Sequence, residues 1–179
     1  LPANRELSGA EIELISIRER DQRLKKTLGP VMERYDYILI DCPPSLSMLT
    51  LNALCFANGV IVPMQCEYFA LEGLTDLVAS IRRVHNEKNP GLRIISILRV
   101  MFDPRITLQQ QVSEQLKKHF GDKVFNTIIP RNVRLAEAPS YGKPGVVYDR
   151  SSRGAMAYKA FADEIISRME AKKANGGMQ

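Results

Sequence analysis

The sequence predicts an α/β protein with a doubly wound, mostly parallel sheet. Four apolar runs of five to eight residues recur along the chain, at 37–41, 59–64, 92–98 and 123–130. Runs that are apolar almost throughout are typical of strands buried on both faces, as in a parallel sheet. Helical patterns lie between these runs, and the alternation favours parallel strands joined by right-handed crossovers.

The helices follow from capping and periodicity. The S-x-x-E pattern at 8–11 predicts a capped helix start, and apolar positions up to Val31 predict one long helix or two. Apolar residues at a spacing of three and four predict helices over 71–84, 108–120 and 155–169.

Length and composition narrow the class of protein. The chain has 179 residues, of which 45% are hydrophobic and 25% charged, so it fits one soluble domain and not a disordered chain. No apolar stretch approaches the ~18 residues of a membrane-spanning helix. No secretory leader is visible at the first residues, and the chain does not begin with Met, as expected of a piece of a longer protein.

The cysteines and histidines do not suggest a metal site. Cys42, Cys55 and Cys66 form no C-x-x-C pair, and their odd number within apolar stretches predicts free, buried thiols in a reducing cytoplasm. His85 and His119 fall on predicted helices without a second ligand at a suitable spacing. We therefore expect no metal site made of protein ligands alone.

The positive charge is concentrated in one part of the chain. The net charge is +5, and residues 99–153 hold ten basic against five acidic residues, which accounts for the whole excess. This span is either a solvated basic face or a surface for an anionic partner.

Polar residues follow the predicted strands, where ligands gather in a parallel sheet. Asp41 ends the first run, which is the form of a Walker B element whose carboxylate helps to hold Mg²⁺ beside a nucleotide. The alternative is that Asp41 only caps the turn that follows. The other strand ends carry Gln65–Glu67, Asp103 with Arg105, and Arg131 with Asn132.

Longer blocks are more specific. They lie at 1–3 with 7–11, 37–46, 65–74, 101–105, 129–140, and 148–149 with 152–155. In these blocks the chain resembles the ParA/Soj family of chromosome- and plasmid-partitioning ATPases, to about Glu170. The resemblance implies a P-loop NTPase-like fold, with 1–170 as the C-terminal part of a single ATPase domain and 171–179 as a polar, frayed tail.

The sequence also departs from that family. The family has a Gly-rich phosphate loop with two lysines, whereas no G-x-x-x-x-G-K-[ST] occurs here, so we expect the N-terminal part of the fold to be missing. Arg99 and Val100 stand where the family commonly has Leu and Thr, next to the expected adenine position.

The resemblance implies a metal side of the nucleotide site. Asp41 would be the Walker B carboxylate, acting on Mg²⁺ through water. Pro43, Pro44 and Ser45 would form switch II, the loop that senses the γ-phosphate.

It also implies an adenine side and a DNA surface. Met101, Pro130, Arg131 and Asn132 would lie beside the adenine. Two further positions, Arg105 and Arg134, match arginines with which the family binds DNA regardless of its sequence. The alternative for these two is a surface arginine or an ion pair with Asp103 or Glu137.

The implied function is ATP-dependent dimerisation, nonspecific DNA binding on the bacterial nucleoid, and ATP hydrolysis stimulated by a ParB-type protein. ATP and Mg²⁺ would be the cofactors of the complete protein, and this chain by itself is expected to bind none and to be inactive.

The alternatives are a non-enzymatic DNA-binding scaffold and a membrane-associated ATPase of the MinD type. The core-like pattern of Ile165, Ile166 and Met169 and the polar tail argue against a membrane. Whether a chromosome or a plasmid is served stays open.

Overall fold

The structure, a computed structural model, describes residues 7–43 and 45–174, without the side chains of residues 8 and 172–174. It divides into two compact units, which are described separately. The helical unit comprises Leu1–Val60 and Asp76–Arg93, and the sheet unit comprises Ile61–Thr75 and Ile94–Gln179.

Short helices build the helical unit. They are α1 (Leu7–Ile15), α2 (Arg23–Leu28), α3 (Met48–Phe56) and the later part of α4 (Ala70–Glu87), with 3₁₀ turns at Arg20–Gln22 and Gly29–Arg34. Ser8 lies inside α1, so the prediction that it caps the helix from outside is wrong.

Asn52 connects the segments of this unit. Its amide group donates to the backbone carbonyls of Arg20 (2.8 Å) and Met48 (2.9 Å), and its Oδ1 accepts from the backbone N–H of Leu24 (3.1 Å). The side chain is buried, so these three bonds satisfy polar groups that burial would otherwise leave unpaired.

The first predicted strand is not a strand. Residues 37–41 form neither strand nor helix, and Leu39 is 87% exposed. An apolar run forms a strand only when a neighbouring strand supplies its hydrogen bonds, and no strand of residues 7–43 or 45–174 does so for this run. The prediction of a strand buried on both faces is therefore wrong.

The other three runs form the sheet. The strands β1 (Gly59–Gln65), β2 (Arg93–Phe102) and β3 (Val124–Pro130) lie in the order β1-β2-β3, and β2 and β3 pair in parallel. The predictions of strands at 59–64, 92–98 and 123–130 are confirmed, with β2 four residues longer at its carboxyl end.

Helices follow each strand as predicted. The helix α4 covers the pattern at 71–84, and α5 (Thr107–Phe120) connects β2 to β3 through a 3₁₀ turn at Gly121–Lys123. After β3 come α6 (Val133–Glu137), a 3₁₀ turn at Ala138–Tyr141, α7 (Gly145–Tyr148) and α8 (Arg153–Ala174). The last helix includes 171–174 of the predicted tail, and 175–179 lie outside the described residues.

The core of the sheet unit lies between β3 and α8. Leu98, Phe125 and Ile129 are buried, and Phe161 of α8 meets the Phe125 ring edge to face with centroids 4.9 Å apart. This packing holds β3 against its helix and so fixes where the strand ends.

Candidate functional site

Two neighbouring strands end at the same place. Phe102 of β2 is opposite Pro130 of β3, and the backbone N–H of Arg131 donates to the carbonyl of Phe102 (3.1 Å). Because β2 and β3 are parallel, the segments that follow them begin at the same edge of the sheet. One of these segments carries Asp103 and Arg105, and the other carries Arg131, Asn132 and Arg134.

Arg105 is held by Asp103. Its Nε and Nη2 donate to the two carboxylate oxygens at 2.9 and 2.7 Å, and its backbone N–H also donates to Oδ1 (3.0 Å). These bonds from Arg105 lower the pKa of Asp103 to about 2. The side chain of Arg105 is 87% exposed, whereas that of Asp103 is 15% exposed. One side of the guanidinium is therefore occupied, while the rest faces solvent.

Arg134 lies between two carboxylates. Its Nη1 donates to Oε2 of Glu137 (3.0 Å), and its Nε is 3.6 Å from Oδ2 of Asp149. The hydroxyl of Tyr148 also donates to Glu137 (3.3 Å), and its ring stacks on Tyr141. The predicted alternative, in which each arginine is paired with a nearby acid, thus describes the structure, with Asp149 as a partner that the sequence did not indicate.

Other cations beyond these strands have no acidic partner. In the described part of the chain Arg131, Lys143, Arg150 and Arg153 are exposed and form no ion pair. The region therefore keeps an unpaired positive charge beside its two paired arginines.

The predicted adenine-side residues also reach this edge. Met101 is half exposed and has a left-handed backbone (φ 51°), which is uncommon for a residue with a side chain. Pro130 ends β3, and Arg131 is exposed. Asn132 caps α6, its Oδ1 accepting from the backbone N–H of Leu135 (3.2 Å).

The predicted metal-side residues lie in the helical unit. Asp41, Pro43 and Ser45 are exposed on the segment that precedes α3, and Pro44 lies outside the described residues. The Ser45 carbonyl accepts from the hydroxyl of Thr50 (2.8 Å), which connects this segment to α3. These residues and the adenine-side residues thus belong to different units.

The predicted magnesium site has a single carboxylate, that of Asp41. Among the described residues no group of three or more His, Cys, Asp or Glu could hold a metal ion. Mg²⁺ usually keeps several waters and takes one or two carboxylates together with phosphate oxygens. A single exposed carboxylate such as Asp41 fits that mode.

The thiols differ from one another. Cys55 and Cys66 are buried as predicted, but Cys42 is exposed, so the prediction of three buried thiols is wrong for that residue. The burial of Cys42 was predicted because it follows the apolar run 37–41. That run forms no strand among the described residues, and Cys42 is exposed with it.

Arg99 is a structural residue whose burial the sequence did not indicate. Its side chain is 1% exposed, and it donates to Ser113 Oγ (2.9 Å) and to the carbonyls of Phe125 (2.6 Å) and Asn126 (3.2 Å). The register between β2 and β3 is irregular on both sides of Arg99. Burial lowers the pKa of the guanidinium, and its hydrogen bonds connect β2, β3 and α5.

A groove lies at the opposite end of the same strands. Its volume is about 680 Å³, and it is lined by residues such as Ile94, Val124 and Arg168 near the amino ends of β2 and β3. Among the described residues, none of the predicted site residues lines it.

Among the described helices, none is both long and apolar enough to cross a membrane.

Comparisons with known proteins identify the family. A family model described as an AAA domain matches residues 1–94. The chain is 53% identical to the chromosome-partitioning ATPase Soj of Treponema pallidum, over 94% of this chain and 66% of that protein. It is 48% identical to the chromosome partitioning protein ParA of Caulobacter vibrioides, over 97% of this chain and 66% of that protein. The chain thus spans slightly less than two thirds of either relative.

A solved structure shows the same fold. Cobyrinic acid a,c-diamide synthase from Mycobacterium smegmatis, with a bound ATP analogue and magnesium, is 34% identical with a TM-score of 0.78, over 95% of this chain and 62% of that one. The predicted α/β, P-loop NTPase-like fold class is confirmed. Given the matches to Soj and ParA as well, the chain belongs to the ParA/Soj family.

Proposed function

We propose that the chain is part of a ParA-type ATPase for DNA segregation, which dimerises with ATP, binds DNA nonspecifically and hydrolyses ATP when a ParB-type protein stimulates it. The relatives named for partitioning support this proposal. The observation that carries it is the alignment of Phe102 with Pro130, from which two arginine-bearing segments leave one sheet edge. The site of action would be the nucleoid in a bacterial cytoplasm.

Asp41 would hold the magnesium side of the nucleotide. One exposed carboxylate suits an ion that keeps most of its waters. When bound, Mg²⁺ neutralises charge on the phosphates during phosphoryl transfer. Pro43, Pro44 and Ser45 begin two residues after Asp41 in the chain and would respond to the γ-phosphate.

Four residues would form the base side. Met101 offers a half-exposed apolar side chain, and Pro130 ends β3. Arg131 has its backbone N–H bonded to Phe102 but its guanidinium exposed. The Oδ1 of Asn132 is engaged by α6, so its amide nitrogen is the group left for a ligand.

The phosphate cradle would come from elsewhere in the complete protein. A Gly-rich loop supplies most phosphate contacts through its backbone N–H groups and lysine, and this sequence contains none. We therefore expect the 179-residue chain by itself to bind no ATP and to be inactive.

Arg105 and Arg134 would contact DNA phosphates. Both guanidinium groups are exposed beyond the ends of parallel strands, in the span that holds the excess positive charge. Guanidinium pairs with phosphate oxygens through two parallel hydrogen bonds, without reading the base sequence.

The test is DNA affinity across a salt series, with ATP and Mg²⁺, for full-length protein carrying Arg105→Ala or Arg134→Ala. Each phosphate contact releases counterions, so each variant should weaken binding on any sequence and lower the salt slope by about one unit. Arg93→Ala is the matched control, because Arg93 is exposed at the other end of β2. Unchanged affinity and slope would reduce the basic span to a solvated face. Binding that needs no ATP would instead favour a DNA-binding scaffold.

A further inference from the structure

The carboxylate of Asp103 occupies the donors that a phosphate would need. Arg105 presents Nε and Nη2 side by side, and both donate to Asp103 at 2.9 and 2.7 Å. The same fork is the one with which a guanidinium binds a phosphate through two bonds. Asp103 and a DNA phosphate would therefore compete for one pair of donors.

Arg134 meets the same competition from two acids. Glu137 comes from α6 and Asp149 from the residue after α7, at 3.0 and 3.6 Å from the guanidinium. Two carboxylates around one cation leave this point with a net negative charge. The Tyr148 hydroxyl, which donates to Glu137, helps to hold that carboxylate in place.

These pairs differ from the structural ion pair of the same unit. Arg168 donates to Glu164 and also to Ser96 and to the carbonyls of Asp122 and Val124, in a half-buried position. Among the described residues, Arg105 and Arg134 have no protein hydrogen-bond acceptors beyond the three acids named above. The side chains of Arg105 and Arg134 are 87% and 54% exposed, against 25% for Arg168, so a ligand from solvent can reach the first two guanidinium groups.

We infer that Asp103, Glu137 and Asp149 are built-in counter-ions that limit DNA affinity, so that each phosphate bound by Arg105 or Arg134 must displace a carboxylate. The inference rests on the proposed function, in which these arginines contact DNA. The cations Lys143, Arg150 and Arg153, which form no ion pair among the described residues, attract the duplex, and the two paired arginines then set how tightly it is held. The three acids thereby keep DNA binding weak and reversible.

The first experiment neutralises the acids. In full-length protein with ATP and Mg²⁺, Asp103→Asn and Glu137→Gln should each tighten binding to a random-sequence duplex about two- to five-fold, which is the strength of an exposed pair. Asparagine keeps an Oδ1 that can accept from the backbone N–H of Arg105, so the local turn is retained. Glu114→Gln is the control, because this exposed residue of α5 makes the same change in charge away from either arginine. Weaker binding, or tightening no greater than that of the control, would overturn the inference.

The second experiment separates the inference from the proposed function. If Asp103 competes with DNA, Arg105→Ala should cost more affinity in the Asp103→Asn protein than in the wild type, by the same two- to five-fold factor. If Arg105→Ala lowers DNA affinity equally in the wild type and in Asp103→Asn, Arg105 contacts DNA but Asp103 does not compete with it, and the inference is overturned. No cost in either background would overturn the role of Arg105 in DNA binding itself. Arg134→Ala with Glu137→Gln repeats the cycle at an independent position.

Discussion

At the scale of single residues, the carboxylate of Glu164 accepts several hydrogen bonds within the sheet unit. Its carboxylate accepts from the backbone N–H groups of Asn126 (2.9 Å) and Thr127 (2.8 Å), from the Thr127 hydroxyl (2.7 Å) and from Arg168 (2.8 Å). Burial would raise the pKa of Glu164, but the bonds from Thr127, Asn126 and Arg168 together lower it to about 2. The residue thus joins α8 to β3.

Glu164→Gln should destabilise the folded protein by about 1–2 kcal/mol at neutral pH, because a charged acceptor of several hydrogen bonds is lost. The folded pKa is below the unfolded one, so this contribution is present above about pH 4.5 and is lost as the pH falls towards 2. Urea unfolding of wild type and variant between pH 2 and 7 measures it. Asp163→Asn is the control, since Asp163 is exposed beside Glu164. A difference between wild type and Glu164→Gln that does not change with pH would contradict the assignment.

At the scale of elements, Leu135 of α6 sets how closely α6 approaches α7 and α8. Its side chain lies against Gly145 of α7 and Gly154 of α8, where any Cβ would overlap it. At Gly154 an added Cβ would lie 2.6 Å from Leu135 Cγ and 3.1 Å from Asn132 Cβ. The absence of side chains at these two positions therefore lets α6, which carries Arg134, pack on α7 and α8.

Gly154→Ala should destabilise the protein by about 1–3 kcal/mol, the usual cost of an added group in a packed site. Gly73→Ala should instead stabilise it by about 0.5–1 kcal/mol, because Gly73 lies in α4 with open space around it and alanine is the better helix former. Both values follow from urea unfolding midpoints. Equal effects of the two substitutions would show that Leu135 does not restrict position 154.

The elements also show what the sequence could and could not predict. The runs at 59–64, 92–98 and 123–130 form strands because each has neighbours in the same sheet, whereas 37–41 has the same composition without them. Local pattern reports a residue's tendency to be buried, but burial depends on partners distant in sequence. The strand ends of the site were predictable because they follow directly from the local pattern. The contact between Arg134 and Asp149 was not, because it joins residues of different elements.

At the scale of the whole molecule, the run 37–41 exposes apolar side chains to solvent. Tyr37 and Leu39 are exposed, with Leu39 at 87%, and the backbone pairs with no strand among the described residues. Exposed apolar segments tend to associate with another chain.

The 179-residue polypeptide should therefore self-associate, with sedimentation that depends on its concentration. Leu39→Lys should reduce this association, because a charge in the run opposes pairing. Leu46→Lys is the matched control, since Leu46 is also exposed but lies outside the run. A monomer at every concentration, measured by analytical ultracentrifugation, would contradict the prediction.

The failure of that run to join the sheet has a practical consequence at Cys42. Of the three thiols it is the exposed one, so a maleimide dye would attach there while Cys55 and Cys66 stay protected. Partial burial, followed by the negative charge of Asp41, raises the pKa of the Cys42 thiol, so labelling should be faster at mildly alkaline pH. The dye would be one residue from the candidate magnesium carboxylate. A dye attached at Cys42 would therefore report changes in the segment around Asp41.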